Sequence, residues 1–387
     1  MIITSALDTD LYKFTMMQAV LHQHPGASAE FLFKCRTERV DFRPYFGEIV
    51  KNINRFCNEV VFTKENLDYL SSLRFIKKDF IDFLRIFRFN YEYIRMRCDD
   101  NGGLHISIAG PWLHTILFEV PILAIISEIY SREMSKDFPL FIKRTTEKME
   151  LLANNDVKIQ FADFGTRRRH SLEAQRIAIE IAMKIVPKQF VGTSNVMLAK
   201  DYNVKPIGTM AHEWLQAHQA FYRLAESQVM AFDHWSREYR GDLGIALSDV
   251  IGLKYFVHDF DPFFAKLFDG VRHDSGDPYE FALTMIRLYE SMGIDPMTKT
   301  IVFSDGLDFQ KAIDLAGAYS RKIKCSFGVG TNFTNDFDFK ALQIVLKMIS
   351  CNGNPVAKLS DSPGKGMCTD DSYVRYLKQV FDRRVGR

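Results

Sequence analysis

KIQFADFG, from Lys158 to Gly165, is a short apolar run that breaks at a glycine. The same design recurs down the chain in QFVGTSN (189–195), KPIGTMAH (205–212), GIALSD (244–249), FDGVRHDSGD (268–277), TIVFSDG (300–306) and KCSFGVGTN (324–332). Each run has the length and the β-branched or aromatic content of a buried strand. Each ends in Gly, Ser, Thr or a charge, and a helical stretch follows. Parallel strands need a crossover connection, which a helix supplies. The region therefore predicts an α/β fold with about seven parallel strands, arranged as an irregular (β/α) barrel. An open doubly wound sheet satisfies the same pattern, because strand order cannot be read from sequence.

The crossover helices carry their own signals. For Pro278–Met292, Asp277 stands at the N-cap, Pro278 at the first helical position, Glu280 at the third, and Gly293 just past the end. Phe281, Met285, Leu288, Tyr289 and Met292 recur at helical spacing. Ser171–Val186 carries a similar stripe through Ala174, Ile177, Ala178, Ile181 and Ile185. The first third of the chain reads differently. Ala29–Cys35 and Tyr91–Arg97 alternate as half-buried strands do, whereas Thr63–Phe75 and Lys77–Phe87 read as helices.

Bulk properties narrow the function. The 387 residues are 47% hydrophobic and 25% charged, enough for a large core and two domains. Fifty basic and 48 acidic residues leave a formal net charge of +2, which argues against a dedicated nucleic-acid binder. Leu113–Tyr130 is the most apolar long segment, but it holds Glu119, Pro121 and Glu128, so it reads as a buried strand-turn-helix and not as a membrane span. The first residues show no basic and apolar regions of a secretory signal. The six cysteines have no CxxC spacing, and no Cys/His cluster of the kind zinc sites show is visible. They read as reduced thiols of a cytoplasmic protein.

In a parallel barrel the polar residues at strand C-termini gather on one face. Here those ends carry Arg167, Ser194, His212, Asp249, Arg272, Asp274, Asp305 and Gly330. The Arg167–Arg169 run alone reads as a solvated face; at a strand end it points to anion binding, since a guanidinium fork suits carboxylate or phosphate. Phe164 beside it reads as core or as a platform for an aromatic ring. His212 follows a strand, and Asp249, closing another, is placed to orient its imidazole; an oriented histidine can accept a phosphoryl group. Asp277 has its capping role, but Arg272 and Asp274 have no such local explanation and suit ribose hydroxyls and phosphate. Ser304–Gly306 and Gly328–Thr331 are glycine turns whose amides can cradle phosphate.

Taken together, LDTDLYKFTM (7–16), FGTRRR (164–169), GTSN (192–195), GTMAHEW (208–214), VRHDSGDP (271–278), SDGL (304–307), FGVGTN (327–332) and KLSDSPGK (358–365) resemble nicotinate phosphoribosyltransferases of the bacterial form, in order and over nearly the whole chain. The resemblance implies a type II phosphoribosyltransferase fold: a barrel over 126–355 beside an α/β sandwich over 1–125, completed by 356–387. It implies that nicotinate and 5-phosphoribosyl 1-diphosphate yield nicotinate mononucleotide and diphosphate, with Mg²⁺ and with ATP hydrolysed through a phosphohistidine. That histidine matches His212. The base-stacking aromatics match Phe164 and Tyr12. The base and phosphate contacts match Arg167, Ser194 and Arg272, the ribose-binding aspartate Asp274, and the phosphate loops Ser304, Asp305, Gly306, Gly328, Gly330 and Thr331. No residue is assigned to the metal. A homodimer is implied by relatives in which the tyrosine matching Tyr12 comes from the neighbouring subunit. A nicotinamide or quinolinate transferase and a non-catalytic nucleotide-binding barrel stay open as alternatives.

Overall fold

The computed structural model describes residues 1–208, 210–362 and 366–386. Thr209, in GTMAHEW, and Pro363–Lys365, in KLSDSPGK, lie outside the described residues. Among the described residues the strands are, in chain order, β1 (Ser28–Cys35), β2 (Ile94–Cys98), β3 (Leu104–Pro111), β4 (Phe161–Asp163), β5 (Phe190–Thr193) and β6 (Ile245–Leu247). They continue with β7 (Gly270–His273), β8 (Thr300–Phe303), β9 (Lys324–Val329), β10 (Ile344–Cys351) and β11 (Asn354–Pro355).

Strands β4 to β9 form one sheet in the order β5-β4-β9-β8-β7-β6, with every pairing parallel. Six of the seven expected runs are therefore strands. The exception is 205–212, which contributes a single parallel bridge, Thr193 to Pro206. Its proline has no amide hydrogen to extend a ladder, and the chain enters a helix at His212. The sheet is curved. A flat ladder of six strands would span about 24 Å at the usual strand spacing. Yet Ser194, past one edge strand, and Ile245, on the other, line the same small cavity as Val302 of the interior strand β8.

The helix expected from Pro278 forms where its cap placed it, and the second marked helix forms from Leu172. Asp277 accepts from the amides of Tyr279 and Glu280 at the head of Pro278–Ser291. Ser171 accepts from the Ala174 amide at the head of Leu172–Ile185. Each of these helices buries one face.

The second sheet is antiparallel, in the order β11-β10-β1-β3-β2. The two expected strands of the first third are present as β1 and β2, the latter preceded by a turn of 3₁₀ helix at Tyr91–Tyr93. Strand β10 arrives from far along the chain and pairs with β1, setting Lys347 opposite Leu32.

The segment from Leu113 to Tyr130 departs from expectation. Strand β3 ends before it, and the whole stretch is helical, running from Trp112 to Met134 with a 3₁₀ turn at Ile116–Phe118. Pro121 sits in the first turn of the Glu119–Met134 helix, where its missing amide costs no hydrogen bond. Among the described residues this helix is long and apolar enough to cross a membrane, but 89% of its apolar window is buried inside the protein. It is a core helix, its apolar residues covered by the rest of the protein.

Candidate active site

The C-terminal ends of the parallel strands and the β1–β10 side of the antiparallel sheet face each other across three adjoining cavities. The largest, about 560 Å³, is lined by Arg36, Arg168, Arg272 and Lys347 as well as the Ser304–Gly306 and Gly330–Thr331 turns. A slot of about 80 Å³ lies against Tyr12, Phe164, Arg167, Ser194 and Ile207. A third space, about 50 Å³, opens between Glu119, His212, Asp274 and Lys347.

His212 begins its helix against the third of these spaces and is buried. Its Nε2 lies 2.8 Å from Asp249 Oδ1, 2.7 Å from Lys358 Nζ and 3.3 Å from Asp274 Oδ2. One ring nitrogen cannot serve both close neighbours at once. Protonated, it donates to Asp249; unprotonated, it accepts from the Lys358 ammonium. Burial, then Lys358, lowers the imidazole pKa, and the two aspartates only partly offset this, so it falls to about 4. His212 is therefore a neutral base at ordinary pH.

Asp249 is fixed by more than the histidine. Lys358 Nζ stands 2.8 Å from its Oδ2, and the Ser275 hydroxyl donates to the same oxygen at 2.7 Å. Burial alone would raise the Asp249 carboxyl, but Lys358 and His212 outweigh it and hold it well below the usual range. Asp274 is likewise kept ionised against burial by Arg272, His212 and Lys358. Arg272 donates to Asp274 Oδ1 at 3.0 Å and through Nε to Ser304 Oγ at 2.8 Å. Its guanidinium also lies 5.8 Å from the centre of the Phe164 ring.

The arginine run divides three ways. Arg167 reaches into the cavities, 3.5 Å from Glu119 and 3.7 Å from Asp10. Arg168 lines the large cavity and is held by Gln343 and the Ile344 carbonyl; burial, then Arg167 and Arg36, bring it down to about 10. Arg169 turns away and makes a fully buried two-pronged pair with Asp8, at 2.8 and 2.7 Å. His170 stacks on Phe337 with ring centres 3.8 Å apart, well inside the protein. Only the first two arginines face the site.

Ser194 is buried and its hydroxyl donates to Asp10 Oδ1 at 2.7 Å. Burial raises the Asp10 carboxyl, with Arg167 and Ser194 pulling the other way. Tyr12 lies on the same chain as the cavities it lines, its hydroxyl 3.4 Å from Glu119. Gly306 adopts a left-handed φ of 54°, which favours glycine, at the mouth of the large cavity. Gly328 is placed elsewhere: it lies within β9, where a Cβ would come 2.3 Å from the Phe164 ring. Its bareness seats that ring.

Sequence reasoning gave Lys347 and Glu119 no role in the site, and quoted Asp10 and Lys358 only within motifs. Lys347 had one visible signal, a lone cation inside the apolar run IVLKMIS. Burial, relieved by Glu119 and deepened by Lys358 and Arg167, brings its pKa down to about 8.

A slot lined by the aromatic rings of Tyr12 and Phe164 adjoins a cavity rimmed by cations and glycine turns. The family described as the nicotinate phosphoribosyltransferase (NAPRTase) family matches residues 159–384, and its N-terminal domain matches residues 7–127. The chain belongs to the nicotinate phosphoribosyltransferase family. It is 53% identical over 385 residues to the nicotinate phosphoribosyltransferase of Xanthomonas campestris, covering 98% of this chain and 96% of that protein. The crystal structure of nicotinate phosphoribosyltransferase from Vibrio cholerae superposes with a TM-score of 0.94 at 37% identity, over 99% of this chain and 94% of that one. The one from Porphyromonas gingivalis gives 0.92 at 36%, over 98% and 100%. Family membership accounts for the pairing of an antiparallel sheet with a curved parallel one.

Proposed function

We propose that this chain transfers the phosphoribosyl group of 5-phosphoribosyl 1-diphosphate to nicotinate, forming nicotinate mononucleotide and diphosphate, and that ATP drives the cycle through phosphorylation of His212. One observation carries the reading: His212, neutral and clamped by Asp249 and Lys358, lines the small space that shares Arg167 and Arg272 with both the aromatic slot and the cationic cavity. Nicotinate would lie between Phe164 and Tyr12 with its carboxylate towards Arg167 and Ser194. The ribose hydroxyls would meet Asp274. The phosphates would meet Arg272, Lys347, Arg36, the Ser304–Gly306 turn and Gly330–Thr331.

In the transfer, the bond from ribose C1 to the diphosphate oxygen breaks and the pyridine nitrogen bonds to C1. That nitrogen carries no proton, so no general base is needed. The residues supply position and preset charge. Asp274 and Asp305 offer the hard oxygen ligands that suit a magnesium ion sharing its shell with phosphates and water. Such an ion would neutralise charge on the departing diphosphate.

In the coupling step, a ring nitrogen of His212 takes the γ-phosphoryl of ATP and ADP leaves; water later cleaves the phosphohistidine to phosphate. The phosphohistidine would add negative charge and acceptor oxygens beside Lys358 and Arg272. ATP can shift substrate affinity only if the two states of His212 bind substrate differently.

Tyr12 lines the cavities of its own chain. For the division at 1–125 with 356–387 against 126–355, the pairing of β10 with β1 supports moving Ile344–Cys351 to the first unit. The free cysteines fit a reducing cytoplasm. The deciding experiment supplies [γ-³²P]ATP and Mg²⁺, then nicotinate and phosphoribosyl diphosphate. Acid-labile label that is discharged as nicotinate mononucleotide forms supports the reading. Product without label removes the coupling step, and neither label nor product removes the function.

A further inference from the structure

A second group of imidazoles lies apart from the cavities. His24 caps the Leu11–Gln23 helix, His218 lies near the end of the His212–Phe221 helix, and His234 lies in the Ser227–Tyr239 helix. One ring nitrogen from each comes within 4.8 Å of the other two. His218 is buried and the other two half-buried. No residue of the proposed reaction belongs to this group.

We propose that His24, His218 and His234 bind a divalent transition-metal ion of the zinc class, with a water as fourth ligand.

Three observations carry this. First, His218 donates from Nδ1 to the Trp214 carbonyl at 2.8 Å. That bond leaves the Nε2 lone pair pointing outward, the arrangement by which proteins preset a histidine for a metal. Second, that Nε2 lies 3.3 Å from His234 Nδ1. A tetrahedral zinc with nitrogen at about 2.0–2.1 Å has ligand–ligand edges of about 3.3–3.4 Å. The remaining nitrogen of His234 faces the Tyr222 hydroxyl at 3.4 Å. Third, His24 Nε2 is buried without a hydrogen-bond partner, although its ring is held firmly by stacking on Phe221 at 4.1 Å. A purely aromatic cluster has no use for a buried polar atom left unpaired, which is a cost. All three imidazoles also have pKa values below the ordinary histidine value, chiefly through burial, so they are in the neutral, ligating form.

Borderline cations prefer imidazole, and the absence of a carboxylate among the three donors disfavours magnesium or calcium. The ion would tie three helix segments together at the far end of the helix that begins with His212.

The test uses the full-length chain without a histidine tag, in the His212→Asn background so that the cluster of His212, Asp249 and Asp274 loses its imidazole. The protein is stripped with chelator, equilibrated with Zn²⁺, desalted and assayed for zinc by atomic emission. The expected result is about one retained zinc per chain, lowered at least about tenfold by adding His24→Gln or His234→Gln. Co²⁺ substituted into the parent should give the intense d–d bands of tetrahedral nitrogen coordination. This readout needs no further substitution and decides the matter if either variant melts early. A parent that holds no zinc, retention unchanged by both substitutions, or an octahedral Co²⁺ spectrum overturns the proposal.

Discussion

Lys358 Nζ stands 2.7 Å from the Nε2 of His212, closer than the 2.8 Å between that nitrogen and Asp249. A cation so near a titratable imidazole disfavours its protonation. With burial it takes His212 to about 4. Asp249 favours the protonated ring, so the histidine is pulled in opposite directions by neighbours that also pair with each other.

The first prediction concerns pH. A histidine of ordinary pKa loses its nucleophilic form below about 6.5. Here the neutral ring should persist, so self-phosphorylation by ATP should hold its rate down to about pH 5 and fall only towards 4. Lys358→Met removes a lowering influence and leaves two carboxylates beside the ring. Its acid limb should therefore move upward. Initial rates of ³²P incorporation against pH check this; a limb that stays in place in the variant contradicts the role given to Lys358.

Asp249 should matter to the phosphohistidine more than to glycosyl transfer. Asp249→Asn keeps the size but presents a neutral amide to Nε2. By analogy with other oriented histidines, ATP-dependent turnover should drop roughly 10²–10⁴-fold. Slow transfer without ATP should continue, as it should in His212→Asn. Comparing turnover with and without ATP separates the two activities. Equal loss in both conditions would place Asp249 in the transfer step itself.

Ser194 bears on which pyridine enters. Its hydroxyl already donates to Asp10 at 2.7 Å. Ser194→Asp would set a second carboxylate against Asp10 and in front of the substrate carboxylate. Like charges at contact distance in a partly dry slot should lower kcat/KM for nicotinate at least about tenfold, and favour nicotinamide, whose NH₂ a carboxylate can accept from. Competition between the two substrates measures the shift. Retention of full nicotinate preference would refute this account.

Arg169 offers a stability test away from the chemistry. Its guanidinium and the Asp8 carboxylate are both fully buried and doubly hydrogen-bonded. Arg169→Met leaves Asp8 buried without its cation, which should cost about 3–5 kcal/mol. Adding Asp8→Leu should recover much of the loss, since the cost lies in the orphaned charge. Denaturant unfolding of the two variants gives the comparison; a small effect from Arg169→Met alone would show that the pair contributes little.

These residues also mark how far the sequence could be read. Asp277 caps its helix as its position required, because a cap depends on neighbours within one turn. The parallel strands were legible for the same reason. What failed was set by distant packing. The run at 205–212 has strand composition but too few partners to form a ladder, and Leu113–Tyr130 is helical because the protein surrounds it. Arg167, Arg168 and Arg169 are consecutive, yet one faces the slot, one the large cavity and one Asp8. Lys347 reaches the site only because β10 crosses back to pair with β1, a contact more than 300 residues apart in the chain. His24, His218 and His234 are scattered likewise, and no spacing rule joins them.

Lys347 gives the last prediction. Burial, with Lys358 and Arg167 nearby, brings its pKa to about 8, and Glu119 and Asp274 keep it from falling further. The ammonium is present below that value and lost as pH rises through it. A diphosphate bound beside it would hold the proton, so the titration belongs to the free enzyme and should appear in kcat/KM for phosphoribosyl diphosphate more than in kcat. The expected profile declines above about pH 8. Lys347→Met should lie lower throughout and lose that limb, because no titrating cation remains. Lys347→Arg should keep a charge at all accessible pH and push the decline higher. Profiles of kcat/KM for the three proteins decide it. A decline near pH 8 that survives in Lys347→Met would assign the titration to another group and take Lys347 out of diphosphate binding.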